Sequence, residues 1–157
     1  MLKILDSLVI LLAGLMVGNE FTIAVFINPA FEKLSEEGHS AVVSPLAKLL
    51  GRVMPFWYAS VILLTIADAV LRWLQFHQVS MPLVASAALW ITTIIISVIW
   101  LVPLNNRVAS WSGASLPPDW QETRSRWDRL HRFRVALLLA ALVCLIVGNV
   151  CTRRAGI

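Results

Sequence analysis

Four apolar runs, at about residues 4–27, 54–74, 81–104 and 133–150, set the limits on what this chain can fold into. Each is close to or above the ~20 residues with which an α-helix crosses a ~30 Å hydrocarbon core. Inside a bilayer no water satisfies a peptide group, so each run must pair its own amides and become helix. That holds even where Ile94, Ile95 and Ile96 would favour strand in water. Hydrophobic residues make up 59% of the chain, against roughly half in soluble domains. The sequence therefore predicts a single membrane domain over residues 1–157: an all-α, four transmembrane helix bundle with short amphipathic helices in the first and third connections. The expected location is multi-pass in a bacterial inner membrane.

Charge and cysteine usage exclude several function classes. The net charge of +4 gathers in the arginines ahead of the fourth run, which suits a lipid bilayer surface and not nucleic acid. Cys144 and Cys151 sit two turns apart on one helix, about 10 Å at ~1.5 Å per residue, beyond the reach of a disulfide. No C-x-x-C is present, so thiol exchange is disfavoured.

The polar residues are most informative where they enter the fourth run. Trp120, Arg124, Trp127, His131 and Arg134 are spaced four, three, four and three, which keeps them on one helix face. The same register runs on through Leu138, Ala141, Leu145 and Gly148, so a polar cluster caps an apolar seam. The plainer account makes these arginines headgroup anchors and the tryptophans belt residues. It fits Arg126, Arg129 and Arg132, which lie off the stripe.

Elsewhere, Lys3 precedes a run with no small-residue cleavage site, which reads as a retained helix. Gly14-x-x-x-Gly18, extended to Thr22, is a small-residue strip for close helix approach, either within the bundle or in a homodimer. Glu20 lies deep in the first span, where a lipid-exposed carboxylate costs on the order of 3 kcal/mol or more. It must face the interior, as a structural hydrogen-bonding group or as part of a site. Asn28-Pro29 is expected to end the first helix. His39 reads as solvent-facing, and Ser44-Pro45 as the start of a surface helix to about Leu50. Pro55 opens the second span with Trp57 and Tyr58 near the interface, and Asp68 with Arg72 reads as an intrahelical ion pair. Pro103 is expected to break the third helix where Asn105, Asn106 and Arg107 arrive, the amides either capping freed carbonyls or entering a site. Alternating spans bring the end of the first helix, the end of the third and the start of the fourth to one side. The loop with Ser110, Ser112, Gly113, Ser115 and Pro117-Pro118 is expected to form a lid there.

Asn28-Pro29, Pro103-x-Asn105 and Trp127-x-x-x-His131-x-x-Arg134 together resemble the anthrone oxygenase-like family of small four-helix membrane proteins. The likeness covers nearly the whole chain. It implies oxidation of an activated aromatic or phenolic carbon by dioxygen, with no bound cofactor. Such a reaction needs a base, an oxyanion donor and a dry aromatic pocket. His131 suits the base, Arg134 and Asn105 the oxyanion, and Glu20 completes the catalytic set. Trp127 and Trp120 offer flat faces for a fused-ring substrate, with Asn28, Asn106, Arg107 and Arg124 as further substrate-binding groups. The expected pocket is bounded by Glu20, Asn28, Asn105, Trp127, His131 and Arg134. The alternative is a non-catalytic membrane module holding a quinone, a lipid or a partner helix, with headgroups on the basic rim. A metal site from His131, Glu20 and His39 lacks ligand spacing, and none is assigned.

Overall fold

The computed structural model describes residues 2–111 and 116–154, and among these the regular elements are helices. They build four rods, each long and apolar enough to cross a membrane: Leu2–Phe31, Glu36–Phe76, Met81–Ala109 and Trp120–Cys151. The protein is an all-α, multi-pass membrane bundle. The first rod is α1 (Leu2–Thr22), a π turn at Ile23–Ile27, and α2 (Asn28–Phe31). The second is α3 (Glu36–Phe76). The third is α4 (Met81–Ile96), a π turn at Ser97–Leu101, and α5 (Val102–Ala109), and the fourth is α6 (Trp120–Arg154). Of the expected lid, Ser112, Gly113 and Ser115 lie outside the described residues, and Ser110 donates from its Oγ to Arg107 O at 2.7 Å.

Prolines do not divide this chain as the sequence predicts. Asn28-Pro29 does not end the first helix, and Pro103 does not break the third. Each is preceded by a π turn that lets the helix run on. The Asn28 N–H bonds Ile23 O and the Val102 N–H bonds Ser97 O, each reaching back five residues. A proline ring clashes with the carbonyl four residues earlier, and the wider turn moves that carbonyl aside. The extra residue also resets the helix phase. Glu20 and Asn28 are eight residues apart, as are Ser97 and Asn105, which in unbroken α-helix leaves them about 80° out of line. Backing the phase up by one residue returns them to within about 20°. The two π turns thus put Asn28 and Asn105 on the interior faces of their rods.

The helical segments expected in the connections are present, and both are continuous with spans. Ser35, not Ser44, caps α3: its backbone is extended and its Oγ accepts from the Gly38 N–H at 3.2 Å. Pro45 and Pro55 both lie inside this 41-residue helix. Ser44 instead donates to Ala109 O at 2.9 Å, tying α3 to α5. Val43, Ala47, Val108 and Trp111 pack around that tie, and this packing offsets the hydrogen bond that Pro45 cannot make.

The main core joins Val9, Ala13 and Met16 of α1, Val61 of α3, Leu83 and Trp90 of α4, and Leu138, Ala141 and Leu145 of α6. The apolar seam of the fourth rod is therefore interior. Gly148 closes it, because a Cβ there would lie 2.8 Å from Leu83 N. Gly14 and Gly18 behave differently: added Cβ atoms would meet nothing within 4 Å. The reading that they pack within the bundle is thus corrected, and the strip faces outward.

At the end holding the start of α1 and the end of α6, Arg72 is buried with two carboxylates. Its Nη2 donates to Asp6 Oδ1 at 2.5 Å and Asn149 Oδ1 at 2.8 Å, and its Nε to Asp68 Oδ1 at 3.0 Å. The expected Asp68–Arg72 pair is there, but it also links three rods. Asp6 and Asn149 were not foreseen, because nothing local to them points across the bundle.

Candidate functional site

At the opposite end, side chains from all four rods meet at a cavity of about 350 Å³. α1 contributes Glu20, α3 Tyr58, the π turn of the third rod Ser97, and α6 His131 and Arg134. Glu20 is 2% exposed and His131 1%, so the carboxylate survives here only through its partners. It accepts from Arg134 Nη2 at 2.6 Å and from Tyr58 Oη at 2.9 Å. Arg134 Nη1 donates to Ser97 Oγ at 3.1 Å, and its guanidinium lies 5.5 Å over the Tyr58 ring. This is a charge pair with a hydrogen-bonded setting, as burial at such depth requires.

His131 is held from two sides. Its ring stacks on Trp127, with centroids 4.5 Å apart and planes 17° from parallel. Its Nδ1 lies 3.1 Å from Arg134 Nη2 and 3.4 Å from Glu20 Oε2. Two proton arrangements fit. Guanidinium cannot accept, so an Arg134 donor on Nδ1 puts the ring proton on Nε2. A proton on Nδ1, shared with Glu20, frees the Nε2 lone pair as a base. In either state Nε2 is buried without a hydrogen-bond partner, and this residue lines the cavity. A buried polar atom with no partner marks a place where a ligand group would be satisfied.

The rest of the cavity wall is mainly apolar, with Ile23, Leu50, Met54, Ile94 and Leu101 among its residues. Asn105 is on it as well, its Nδ2 donating to Ala47 O at 3.0 Å. Gly51 makes room for that amide, since a Cβ there would lie 2.9 Å from Asn105 Nδ2. The amide thus meets a carbonyl on the neighbouring rod as well as the cavity.

Of the residues picked from sequence, Glu20, Asn105, Asn106, Trp127, His131 and Arg134 line the cavity, and Asn28, Arg107, Trp120 and Arg124 do not. Asn28 Oδ1 accepts from Arg124 Nη2 at 3.3 Å, and Arg124 also pairs with Asp128 at 3.3 Å. Arg124 lies 5.1 Å over the Trp127 ring, so these residues form a polar layer beside that ring. Arg107 pairs with Asp119 at the surface. Trp120 packs against His39, with centroids 4.8 Å apart. That contact corrects the solvent-facing reading of His39, which is 3% exposed, with Nδ1 3.3 Å from Phe31 O.

Sequence reasoning missed Tyr58, Ser97 and Gly51. Tyr58 read as an interface residue, yet it is 9% exposed and bonded to Glu20. As the chain's single tyrosine, lying within an apolar run, it carried a signal of its own: a buried phenol needs a partner. Ser97 and Gly51 offered no comparable signal.

A sequence model for a family described as anthrone oxygenase matches residues 48–144, more than half of the chain. The matched stretch includes Tyr58, Asn105, Trp127, His131 and Arg134 and leaves out Glu20 and Asn28. No curated protein and no solved structure matches the chain.

Proposed function

The chain belongs to the anthrone oxygenase family, and from that premise we propose that it oxidises an activated aromatic or phenolic carbon with dioxygen in the cavity between its four rods. One observation carries the reading. A histidine fixed by Glu20, Arg134 and Trp127 keeps one ring nitrogen unsatisfied in the wall of a mostly apolar cavity. Its volume, about 350 Å³, falls within the ~300–1,000 Å³ of small-molecule sites.

The substrate class follows from the needs of the reaction. An anthrone-type ring carries a CH2 beside two aryl groups and across the ring from a carbonyl, so loss of a proton gives a delocalised enolate. In the state with a proton on Nδ1, His131 Nε2 accepts that proton, and Glu20 stabilises the resulting imidazolium. The enolate then passes an electron to dioxygen, and the carbon–oxygen bond forms to give a peroxide anion. This takes a proton from the imidazolium to become the hydroperoxide. Removal of the remaining C–H proton expels hydroxide as the O–O bond breaks, leaving C=O and water. The balance is CH2 plus O2 to C=O plus H2O, with no further reductant. Asn105 keeps one amide N–H beyond its bond to Ala47, and Arg134 keeps its Nε–H. These are the donors left for an oxyanion. Arg134 otherwise holds Glu20 in place, and Glu20 and the Trp127 stack position the protonated Nδ1 side of the ring.

The test is aerobic incubation of the purified protein with an anthrone, following quinone absorbance and oxygen uptake together. One quinone per dioxygen is expected, and His131→Gln should lower the rate by about 10²–10⁴-fold. Wild-type rates in both His131→Gln and Arg134→Met would remove the assigned roles. A co-purified quinone or lipid that occupies the cavity and stays unchanged under oxygen would favour the binding module instead.

A further inference from the structure

The mouth of the cavity has a direction. Among its lining residues, Gly51, Pro55 and Ala59 are exposed, and they recur every fourth residue along one face of α3. Across from them on the third rod, Val98 and Val102 are exposed as well, at 60% and 42%. These five residues edge a slot between the second and third rods, while Glu20, His131 and Leu101 form the buried floor. From Gly51 to Ala59 the slot edge extends about 12 Å at ~1.5 Å per residue, from beside the exposed Arg52 into the middle of the apolar span. Its surroundings are hydrocarbon-facing, with Phe56 at 74%, Leu63 at 65%, Ile95 at 51% and Ile99 at 54% exposure. None of the five edge residues carries a charge. An opening of this chemistry at this depth meets acyl chains and not water.

Resting on the oxygenase reading, we propose that the ligand enters sideways from the bilayer between Gly51–Pro55–Ala59 and Val98–Val102, and is a ring with a hydroxyl or oxo group carrying an aliphatic chain. The ring fills the cavity and its oxygen satisfies His131 Nε2. The chain stays in the slot, where it remains in an apolar medium and loses no transfer free energy on binding. The small side chain at Ala59 leaves the slot wide enough for such a chain to lie in, while Asn105 occupies the space beside Gly51 at the inner edge. A chainless ring gains nothing from these features.

The test uses the full-length protein in phospholipid nanodiscs under argon, so that binding is read without turnover. The probe is a 1,4-naphthohydroquinone bearing a decyl chain with a diazirine in that chain, and photolabelled peptides are mapped by mass spectrometry. Label is expected on 51–59 and 98–102, competed by the same compound without the diazirine. In a variant with Ala59→Trp and Val98→Trp, both facing lipid, the competed label should drop at least tenfold. Label scattered over other lipid-facing residues and not competed, or competed label unaffected by the two tryptophans, would overturn the proposal. The wild-type map stands without the variant, so a variant that fails to fold does not decide the matter. Admitting oxygen then separates the two readings. Competed slot labelling with no oxygen uptake by probe or anthrone sinks the oxygenase and leaves the entrance. Oxygen uptake with labelling indifferent to the tryptophans sinks the entrance and leaves the oxygenase.

Discussion

Each end of the bundle sets an arginine against buried carboxylate, and the two ends do different things with it. At the closed end Arg72 joins Asp6, Asp68 and Asn149 from three rods, and Gly148 against Leu83 brings the third and fourth rods into near contact beside it. At the open end Arg134 joins Glu20, Ser97 and His131, and a cavity of about 350 Å³ lies alongside. Each end also keeps a buried polar atom with no hydrogen-bond partner, Asp68 Oδ2 at one and His131 Nε2 at the other, but His131 is the one that lines the cavity. Burial of an ion pair is weak evidence of function taken alone. The space beside it carries the distinction.

The contrast can be broken most decisively at the arginines. Arg72→Met removes the cation shared by two carboxylates that are 2% and 0% exposed, and should cost about 3–5 kcal/mol in a mixed-micelle unfolding titration. Combining it with Asp6→Asn and Asp68→Asn should restore most of that. Arg134→Met strands one carboxylate, which keeps its Tyr58 bond and borders a cavity that water can enter. Its stability loss should be smaller, about 1–3 kcal/mol, with oxygenation impaired far more than folding. Equal losses at the two ends would erase the proposed difference.

Steric tests sharpen the same point with smaller effects. Gly148→Leu should cost about 1–3 kcal/mol by forcing the third and fourth rods apart, whereas Gly18→Leu, with open space around it, should stay within about 0.5 kcal/mol in the same titration. Tyr58→Phe removes one donor from Glu20 and should cost about 1–2 kcal/mol, measured with and without a bound hydroquinone to see whether the loss lies in folding or in the site. The smallest effect is expected at Arg107→Ala. Its ion pair with Asp119 is about half exposed on both sides, so stability should change by less than about 0.5 kcal/mol, and ligand affinity should not change. A large affinity loss there would extend the site to the surface.

Much of the open end was legible because helical periodicity is a local property. Spacing alone put Trp127, His131 and Arg134 on one stripe with Leu138, Ala141 and Leu145, and the structure buries that stripe except for the partly exposed Arg134. The cost of a carboxylate in lipid was enough to turn Glu20 inward. What could not be read were partners chosen across the bundle: Tyr58 for Glu20, Asp6 and Asn149 for Arg72, Trp120 for His39. Each depends on the rotation and depth of one rod against another, which many sequences share and no short pattern encodes.

The prolines mark the boundary between the two kinds of information. The sequence by itself determined that the chain spans a membrane as four helices, since unsatisfied peptide groups in hydrocarbon allow little else. It also located the polar residues those helices must hide. Only the tertiary structure decided that Pro29 and Pro103 are absorbed by π turns, because the lost intrahelical bonds are offset by packing and cross-rod hydrogen bonds, and a helix phase shifted by one residue then turns Asn105 to the cavity and Asn28 to Arg124.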